Sequence, residues 1–364
     1  MDYSKKKVIF ITGSLCDGGA EKVMSILASG CAEQGANTTL VVLREKKMVY
    51  SLSPHVNLVQ IKVGKSKFKL IRRIIKLHKV LKYSEADVVI PFLPIISLYT
   101  LIANRGVRKR IIMSERGDPN VKYFNNKLSV KDRVGSFLMR DCGLFGKSYK
   151  MVFQTEDAKN FYSKSIQDKS TIIPNPLDIS NLPEMFYGER KKKIVAVGRL
   201  SNEKNFSLLI KTFNEFHKKF PDYILYIYGE GKQREYLEQY INNLSLTDFV
   251  RMPGFISNVQ SKIVDASMYI STSNHEGISN SLLEALGMGV PTIATDCPVG
   301  GSRMFVKTNE TGILIPTNNS ERLLEAMEKI VENKNYADQI SKGALKIRNE
   351  LSANEICRKW LDLV

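Results

Sequence analysis

What this chain lacks narrows its reading before any motif is weighed. Its five cysteines, Cys16, Cys31, Cys142, Cys297 and Cys357, are scattered with no paired spacing, so neither a disulfide framework nor a zinc site is indicated. Four histidines, equally dispersed, offer no metal cluster. Long apolar runs are also missing. The longest uncharged stretch, Val88 to Asn104, contains Pro91 and Pro94 and falls short of the roughly 20 residues a membrane span requires. It reads as a buried strand followed by a buried helix. Near the start, Lys5-Lys6-Lys7 precedes only the short run Val8 to Ile11, a strand rather than the apolar segment of a secretion signal. A cytoplasmic protein is expected.

What is present describes a globular chain. With 364 residues, 43% of them apolar and 25% charged, two domains of about 150 to 200 residues are the natural division. The net charge of +17 is unevenly spread. Residues 1–180 carry 31 Lys and Arg against 15 Asp and Glu, whereas residues 181–364 carry 23 against 22. Such asymmetry points the first half toward a polyanion or an anionic surface. A nucleic acid suits the charge but not the pattern, because aromatic stacking residues are not interleaved with the basic clusters and no binding motif occurs.

Along the chain, apolar strand runs alternate with amphipathic helices. In the first half, strands are expected at Lys7 to Thr12, Thr38 to Leu43, Val56 to Val63, Asp87 to Pro91, Arg110 to Ser114 and Met151 to Gln154. Turn formers from Ile173-Pro174-Asn175-Pro176 to Gly188 interrupt the pattern, which restarts at Lys193 to Val197. The fold class is therefore α/β: two doubly wound parallel sheets, each covered by helices on both faces, meeting across a cleft at the carboxyl ends of the strands.

The most informative stretch is Ser273 to Gly287. Gly277 frees the backbone to bend, Ser279 or Asn280 can cap, and Leu282-Leu283-Glu284-Ala285-Leu286 favours helix until Gly287 and Gly289. Glu276 then lies in the loop and Glu284 about one turn inside the helix. The first amides of a helix lack internal partners and favour a diphosphate, and a carboxylate one turn in can accept hydrogen bonds from a ribose diol. The plain alternative is an acidic pair on a solvated helix start. A second loop, Gly198-Arg199-Leu200-Ser201-Asn202-Glu203-Lys204-Asn205, follows the first strand of the second half. There the heads of Arg199 and Lys204 can grip a leaving diphosphate; at roughly 4 Å and an effective dielectric near 20, one pair is worth up to about 4 kcal/mol. The alternative is a solubilising pair. In the first half, Gly13 to Lys22, with Gly18 and Gly19, follows the first strand, where glycines admit close backbone approach to a ligand. It is neither a spaced GxGxxG nor a P-loop, and a tight turn explains it equally well.

Taken in order, the glycine loop, Gly198-Arg199-Leu200 with Glu203-Lys204-Asn205, Glu276-Gly277 with Leu283-Glu284-Ala285, and Gly289-Val290-Pro291 with Thr295-Asp296 resemble the retaining glycosyltransferases of the GT-B architecture. They look like those that build bacterial surface polysaccharides. The resemblance implies an acceptor-binding domain at residues 1–180 and a nucleotide-sugar domain at 181–364, the last helix packing back on the first domain. It implies that Arg199 and Lys204 hold the diphosphate, Glu284 the ribose, Glu276 the donor sugar, and Gly18 and Gly19 the phosphates, with the backbone of Gly277, Ile278 and Ser279 lining the donor. It further implies a nucleotide-sugar substrate, UDP-linked by preference, no cofactor and no metal, and a saccharide acceptor, lipid-linked where the enzyme works at a membrane. Many relatives have a histidine in the first domain where this chain has Ser114-Glu115-Arg116-Gly117-Asp118-Pro119. A nucleotide-sugar epimerase of the same architecture is the alternative; a phosphorylase would carry a cofactor-lysine motif that is missing.

Lys65 to Tyr83 accounts for part of the charge asymmetry. At roughly 100° per residue, Leu70, Ile74, Leu77 and Leu81 share one helix face, and Lys65, Lys69, Arg72, Lys76 and Lys79 the opposite one. Such a helix can rest on an anionic leaflet as a peripheral contact; the alternative is an ordinary solvated face. Arg303, in the loop Cys297 to Arg303, and His275, beside Glu276, are further candidates with plain structural alternatives.

Overall fold

A strand covered on both faces needs apolar residues at consecutive positions, because alternate side chains meet different helix layers. Lys7–Thr12 (β1) reads Lys-Val-Ile-Phe-Ile-Thr, and all but its first residue are buried. It is followed along the chain by Asn37–Val42 (β2), Asn57–Gln60 (β3), Val88–Pro91 (β4), Arg110–Ser114 (β5), Lys150–Phe153 (β6) and Ser170–Ile172 (β7). In the computed structural model, which describes residues 2–16, 18–45, 47–65, 68–124, 130–140 and 142–364, these seven strands form one parallel sheet of order β3-β2-β1-β4-β5-β6-β7.

The connecting helices are Gly19–Glu33 (α1), Lys69–Tyr83 (α2), Pro94–Ala103 (α3), Pro119–Phe124 (α4), Val130–Arg140 (α5), Glu156–Asn160 (α6) and Lys164–Gln167 (α7). From β1 to β2 the chain moves toward one edge of the sheet; from β3 to β4 and onward it moves toward the other. Right-handed crossovers therefore set α1 on one face and α2, α3 and α5 on the opposite face. Packing agrees, since α3 lies against both α2 and α5.

The helix expected from Lys65 starts at Lys69 instead. Lys65 precedes it in a bend, and Ser66 and Lys67 lie outside the described residues. Phe68, at the N-cap position, makes no side-chain cap. The expected apolar face is only partly covered: Leu77 and Leu81 are buried, whereas Leu70 is exposed.

The second unit repeats the plan. Strands Lys191–Val197 (β8), Ile224–Tyr228 (β9), Val250–Gly254 (β10), Ala266–Ser271 (β11), Thr292–Thr295 (β12) and Ile313–Ile315 (β13) form a parallel sheet of order β10-β9-β8-β11-β12-β13. Around it pack Phe206–Lys219 (α8), Arg234–Asn243 (α9), Gln260–Ile263 (α10), Asn280–Gly287 (α11), Ser320–Glu332 (α12), Lys334–Ala344 (α13) and Ile347–Glu350 (α14). On α8, Phe206, Leu209, Ile210, Phe213 and Phe216 recur at helical spacing and enter a core with Ile194, Leu225, Met268 and Ile293. Each such side chain contributes roughly 1.5–3 kcal/mol of transfer free energy on full burial.

The chain divides into two compact units, Met1–Pro176 with Ala353–Val364, and Leu177–Ser352. The last helix, Ala353–Leu361 (α15), packs on α1 in the first unit. Trp360 is fully buried with its ring 5.7 Å from that of Phe92, and Tyr3 donates to Asp362 across 2.9 Å.

In each sheet the strand order reverses direction at one place: between β1 and β4 in the first unit, and between β8 and β11 in the second. Loops leaving the carboxyl ends of such neighbouring strands diverge to opposite faces and leave a crevice.

Candidate functional site

The crevice of the second unit is lined by the loops after β8 and β11. Glycines make the first loop possible. A side chain at Gly229, whose φ is +143°, would sit 1.9 Å from the Gly198 carbonyl oxygen, and one at Gly231 would sit 2.3 Å from that of Leu200. The β8 loop is therefore laid directly on the loop after β9, and the Leu200 amide donates to the Glu230 carbonyl at 3.0 Å. Gly198 in turn leaves room for the aliphatic stem of Lys204, whose Cε would be 3.0 Å from an added Cβ. Asn205 takes a left-handed φ of +48° at the turn into α8. Asparagine tolerates that conformation better than most residues.

Backbone and side-chain bonds then stitch the two loops together. The Asn274 amide donates to the Glu203 carbonyl at 2.7 Å. Thr272 Oγ1 reaches the carbonyls of Lys204 and Asn205 at 2.9 and 3.1 Å. Asn205 Nδ2 donates to Oδ1 of Asn274 at 3.2 Å and of Asn318 at 2.8 Å. The result is an ion pair between Lys204 Nζ and Glu276 Oε2, two residues 72 positions apart. Its members are 17% and 23% exposed, enough for a ligand to reach them and little enough for their charges to be weakly screened. Ser273 Oγ adds a longer contact of 3.4 Å to the same carboxylate oxygen.

Glu284 sits in the next turn, on α11, and is buried. Its Oε2 accepts from Gln260 Nε2 at 2.7 Å. Ser279 occupies the N-cap position of α11, but the expected cap bond is not made. Its hydroxyl pairs with that of Ser281 at 3.1 Å, and Asn280 is already the first helical residue. Serine 281 also meets the Tyr269 hydroxyl at 2.9 Å and donates to the Val197 carbonyl at 3.2 Å. The short hydroxyls thus fasten α11 to the ends of β8 and β11 instead of closing the helix start. Burial holds the Tyr269 phenol well above its usual range, so it stays protonated.

A third loop supports the second. Gly301 lies so close to the Glu276-Gly277 turn that a side chain on it would fall 1.7 Å from the Gly277 carbonyl oxygen. Gly277 was expected to supply the bend, yet its φ is not positive; the positive angles occur at Val299 (+63°) and Gly300 (+68°). A β-branched residue in the left-handed region is strained, and such strain persists where surroundings impose it. Buried Cys297, at the start of this loop, has its thiol pushed up to about 11, chiefly by burial.

Residues 184–347, which contain all three loops, match the family described as glycosyl transferases group 1. This stretch is a glycosyl transferases group 1 domain. Over nearly its whole length the chain is similar to a Campylobacter jejuni enzyme named GalNAc-alpha-(1->4)-GalNAc-alpha-(1->3)-diNAcBac-PP-undecaprenol alpha-1,4-N-acetyl-D-galactosaminyltransferase, with 24% identity and 98% of both chains covered. It is also similar to an uncharacterized glycosyltransferase of Haemophilus influenzae, with 25% identity, 98% of this chain and 99% of the other covered. In three dimensions it resembles Anabaena HepE, crystallised with UDP and glucose, at a TM-score of 0.81 and 16% identity, covering 98% of this chain and 99% of that one. The fold is GT-B, with two Rossmann-like domains, and the group 1 match together with these relatives indicates a transferase.

Within the group 1 domain, the residues singled out from sequence lie at the carboxyl ends of the central strands. Arg199 is exposed on the β8 loop, where its charge helps, after a hydrogen bond from Ser201, to lower the pKa of Glu203. Lys204 and Glu276 touch, Gly277, Ile278 and Ser279 are buried between Glu276 and α11, and Glu284 lies within that helix. Gly18 and Gly19 belong to the first unit, at the start of α1, after the carboxyl end of β1. There Gly18 takes a φ of +120°, and a side chain on it would meet the Glu21 carboxylate at 2.5 Å. Asp17 of the same loop lies outside the described residues. Arg303 is paired with Asp296, Nε to Oδ1 at 2.6 Å, and His275 is exposed. Sequence reasoning missed Gln260, the Asn205–Asn274–Asn318 contact and the part played by Gly301. Only the Gly300-Gly301 doublet carried a local signal.

Proposed function

We propose that the chain is a retaining glycosyltransferase that moves a hexose or N-acetylhexosamine from a UDP-sugar to a saccharide carried on a polyprenyl diphosphate. The setting is assembly of a bacterial surface glycan at the cytoplasmic face of the membrane. The observation that carries this reading is the Lys204–Glu276 pair at the β8–β11 crevice, with Glu284 one turn into α11. The group 1 match, the lipid-linked substrate in the name of the C. jejuni relative and the UDP in the HepE crystal support it.

In this reading Lys204 and Arg199 face the diphosphate, and Lys204 exchanges part of its attraction to Glu276 for the charge that grows on the leaving phosphate. Fixed cations aimed at developing charge lower the barrier without reorganising. The Glu276 carboxylate, so released, accepts from hydroxyls of the donor sugar and orients it. Glu284, already fixed by Gln260, takes the ribose hydroxyls. The acceptor oxygen bonds to the anomeric carbon on the face from which the phosphate departs, and as the bond to the phosphate oxygen breaks that oxygen takes the acceptor's proton, so no side-chain nucleophile is needed. Positive charge comes from the chain itself, without a metal ion or other cofactor.

The test is a panel of UDP-sugars with and without a polyprenyl-diphosphate saccharide. UDP release that depends on acceptor, with an α-linked product from an α-donor, is the expected result. UDP release without acceptor, or interconversion of the donor into its epimer, would overturn it.

A further inference from the structure

The helix layer formed by α2, α3 and α5 differs from the layer on the other face of the same sheet. On it, Phe68, Ile71, Ile75, Ile102, Val134 and Phe137 are between 43% and 66% exposed. Among the described residues of α1 and α15, on the opposite side, no large apolar side chain is exposed to that degree. The outward side of α2 is itself two-toned. At roughly 100° per residue, Ile71, Ile75 and Phe68 fall in one sector, and Lys79, Arg72, Lys76 and Lys69 in the adjoining one. The four cations are all exposed, although Lys76 also donates to the Lys62 carbonyl at 2.5 Å. Single exposed apolar side chains are ordinary on a protein surface, but six of them on one helix layer are not. A helix lying in a lipid headgroup region needs this arrangement, with apolar groups entering the acyl boundary and cations beside them at the phosphates.

We propose that the α2–α3–α5 layer docks on an anionic lipid leaflet, with Phe68, Ile71 and Ile75 inserted and Lys69, Arg72, Lys76 and Lys79 on the phosphates. Charge selects this occupant over a second copy of the chain. The segment 1–180 bears 31 basic residues against 15 acidic ones, so two such faces repel each other while both are drawn to acidic lipid. The proposal deepens the reading of a lipid-linked acceptor and rests on it for its purpose, since a protein held flat on the leaflet meets such an acceptor in two dimensions. Insertion adds what a purely basic face lacks: attachment that outlasts high salt.

Flotation with phosphatidylglycerol–phosphatidylcholine vesicles and with phosphatidylcholine alone, at low and high salt, tests it. Wild type should bind the acidic vesicles and keep part of that binding at high salt. The combined Phe68→Ser, Ile71→Ser, Ile75→Ser variant should lose the salt-resistant part, weakening partition by about tenfold or more. Val134→Ser with Phe137→Ser, on a separate helix, provides the same readout should the first set fail to fold. Replacing Lys69, Arg72 and Lys79 by Ser should abolish the preference for phosphatidylglycerol. Equal binding by wild type and the serine variants, no binding by wild type, or a dimer that the serine variants dissolve would overturn the proposal. Sugar transfer to a detergent-solubilised acceptor should be unchanged in the triple variant. If wild type floats but transfers nothing, the acceptor reading falls and the surface stands.

Discussion

The two units share a topology and differ in what they place outside. The first turns apolar side chains and exposed cations outward from one helix layer. The second balances its charge, and its unusual residues converge at the carboxyl ends of its central strands. Strands and helices alone do not predict that division, because the same α/β frame carries both. The difference lies in which surface is left unfinished: a broad face in one unit, a crevice between diverging loops in the other.

The sharpest way to break this contrast is Lys204→Ala. Losing a fixed cation beside the leaving group should lower turnover by roughly 10²- to 10³-fold with vesicle binding intact. Lys69→Ser should do the reverse, so equal kinetic damage from both would erase the distinction. Next comes Gly301→Ala, whose new methyl falls on the Gly277 carbonyl. Overpacking of this kind costs about 1–3 kcal/mol, seen as a lower melting temperature together with slower transfer. Wild-type values for both would show that the third loop does not support the second. Glu284→Ala should weaken UDP binding by about tenfold, measured by calorimetry, because a buried acceptor is lost and Gln260 is left without its partner. Unchanged affinity would remove Glu284 from the nucleotide site. The smallest effect is expected from Lys192→Ser, which cuts an exposed pair with Asp222 in the second unit. Melting temperature and vesicle binding should both stay as they are, since solvent screens such pairs; a clear loss of vesicle binding would mean that the two surfaces are not separate.

Much of the frame was legible in the sequence. Lys7–Thr12 and Arg110–Ser114 fall where periodicity and turn residues place them. The three-residue strands Ser170–Ile172 and Ile313–Ile315 escaped notice, because so short a run has no period. No capping residue marks the start of the helix at Lys69, so its periodicity extends back to Lys65 in the sequence. Candidate site residues could be named singly, but their partnerships could not. Lys204 meets Glu276 because β8 lies beside β11, a neighbour it gains only when the chain returns from β10 to the middle of the sheet. Likewise, nothing in the sequence sets Gly301 against the Gly277 carbonyl, a contact that only the packing of the two loops creates.

The position of α15 bears on how the chain is made. Residues 353–364 complete the first unit, yet the whole of Leu177–Ser352 is synthesised before them. Until they emerge, α1 lacks its cover over Cys31 and Trp360 is not yet available to pack by Phe92. A contiguous second unit can close during that interval, while the first still lacks the helix that packs on α1. Residues 353–364 therefore act as a latch, and their loss would injure the half of the protein made first.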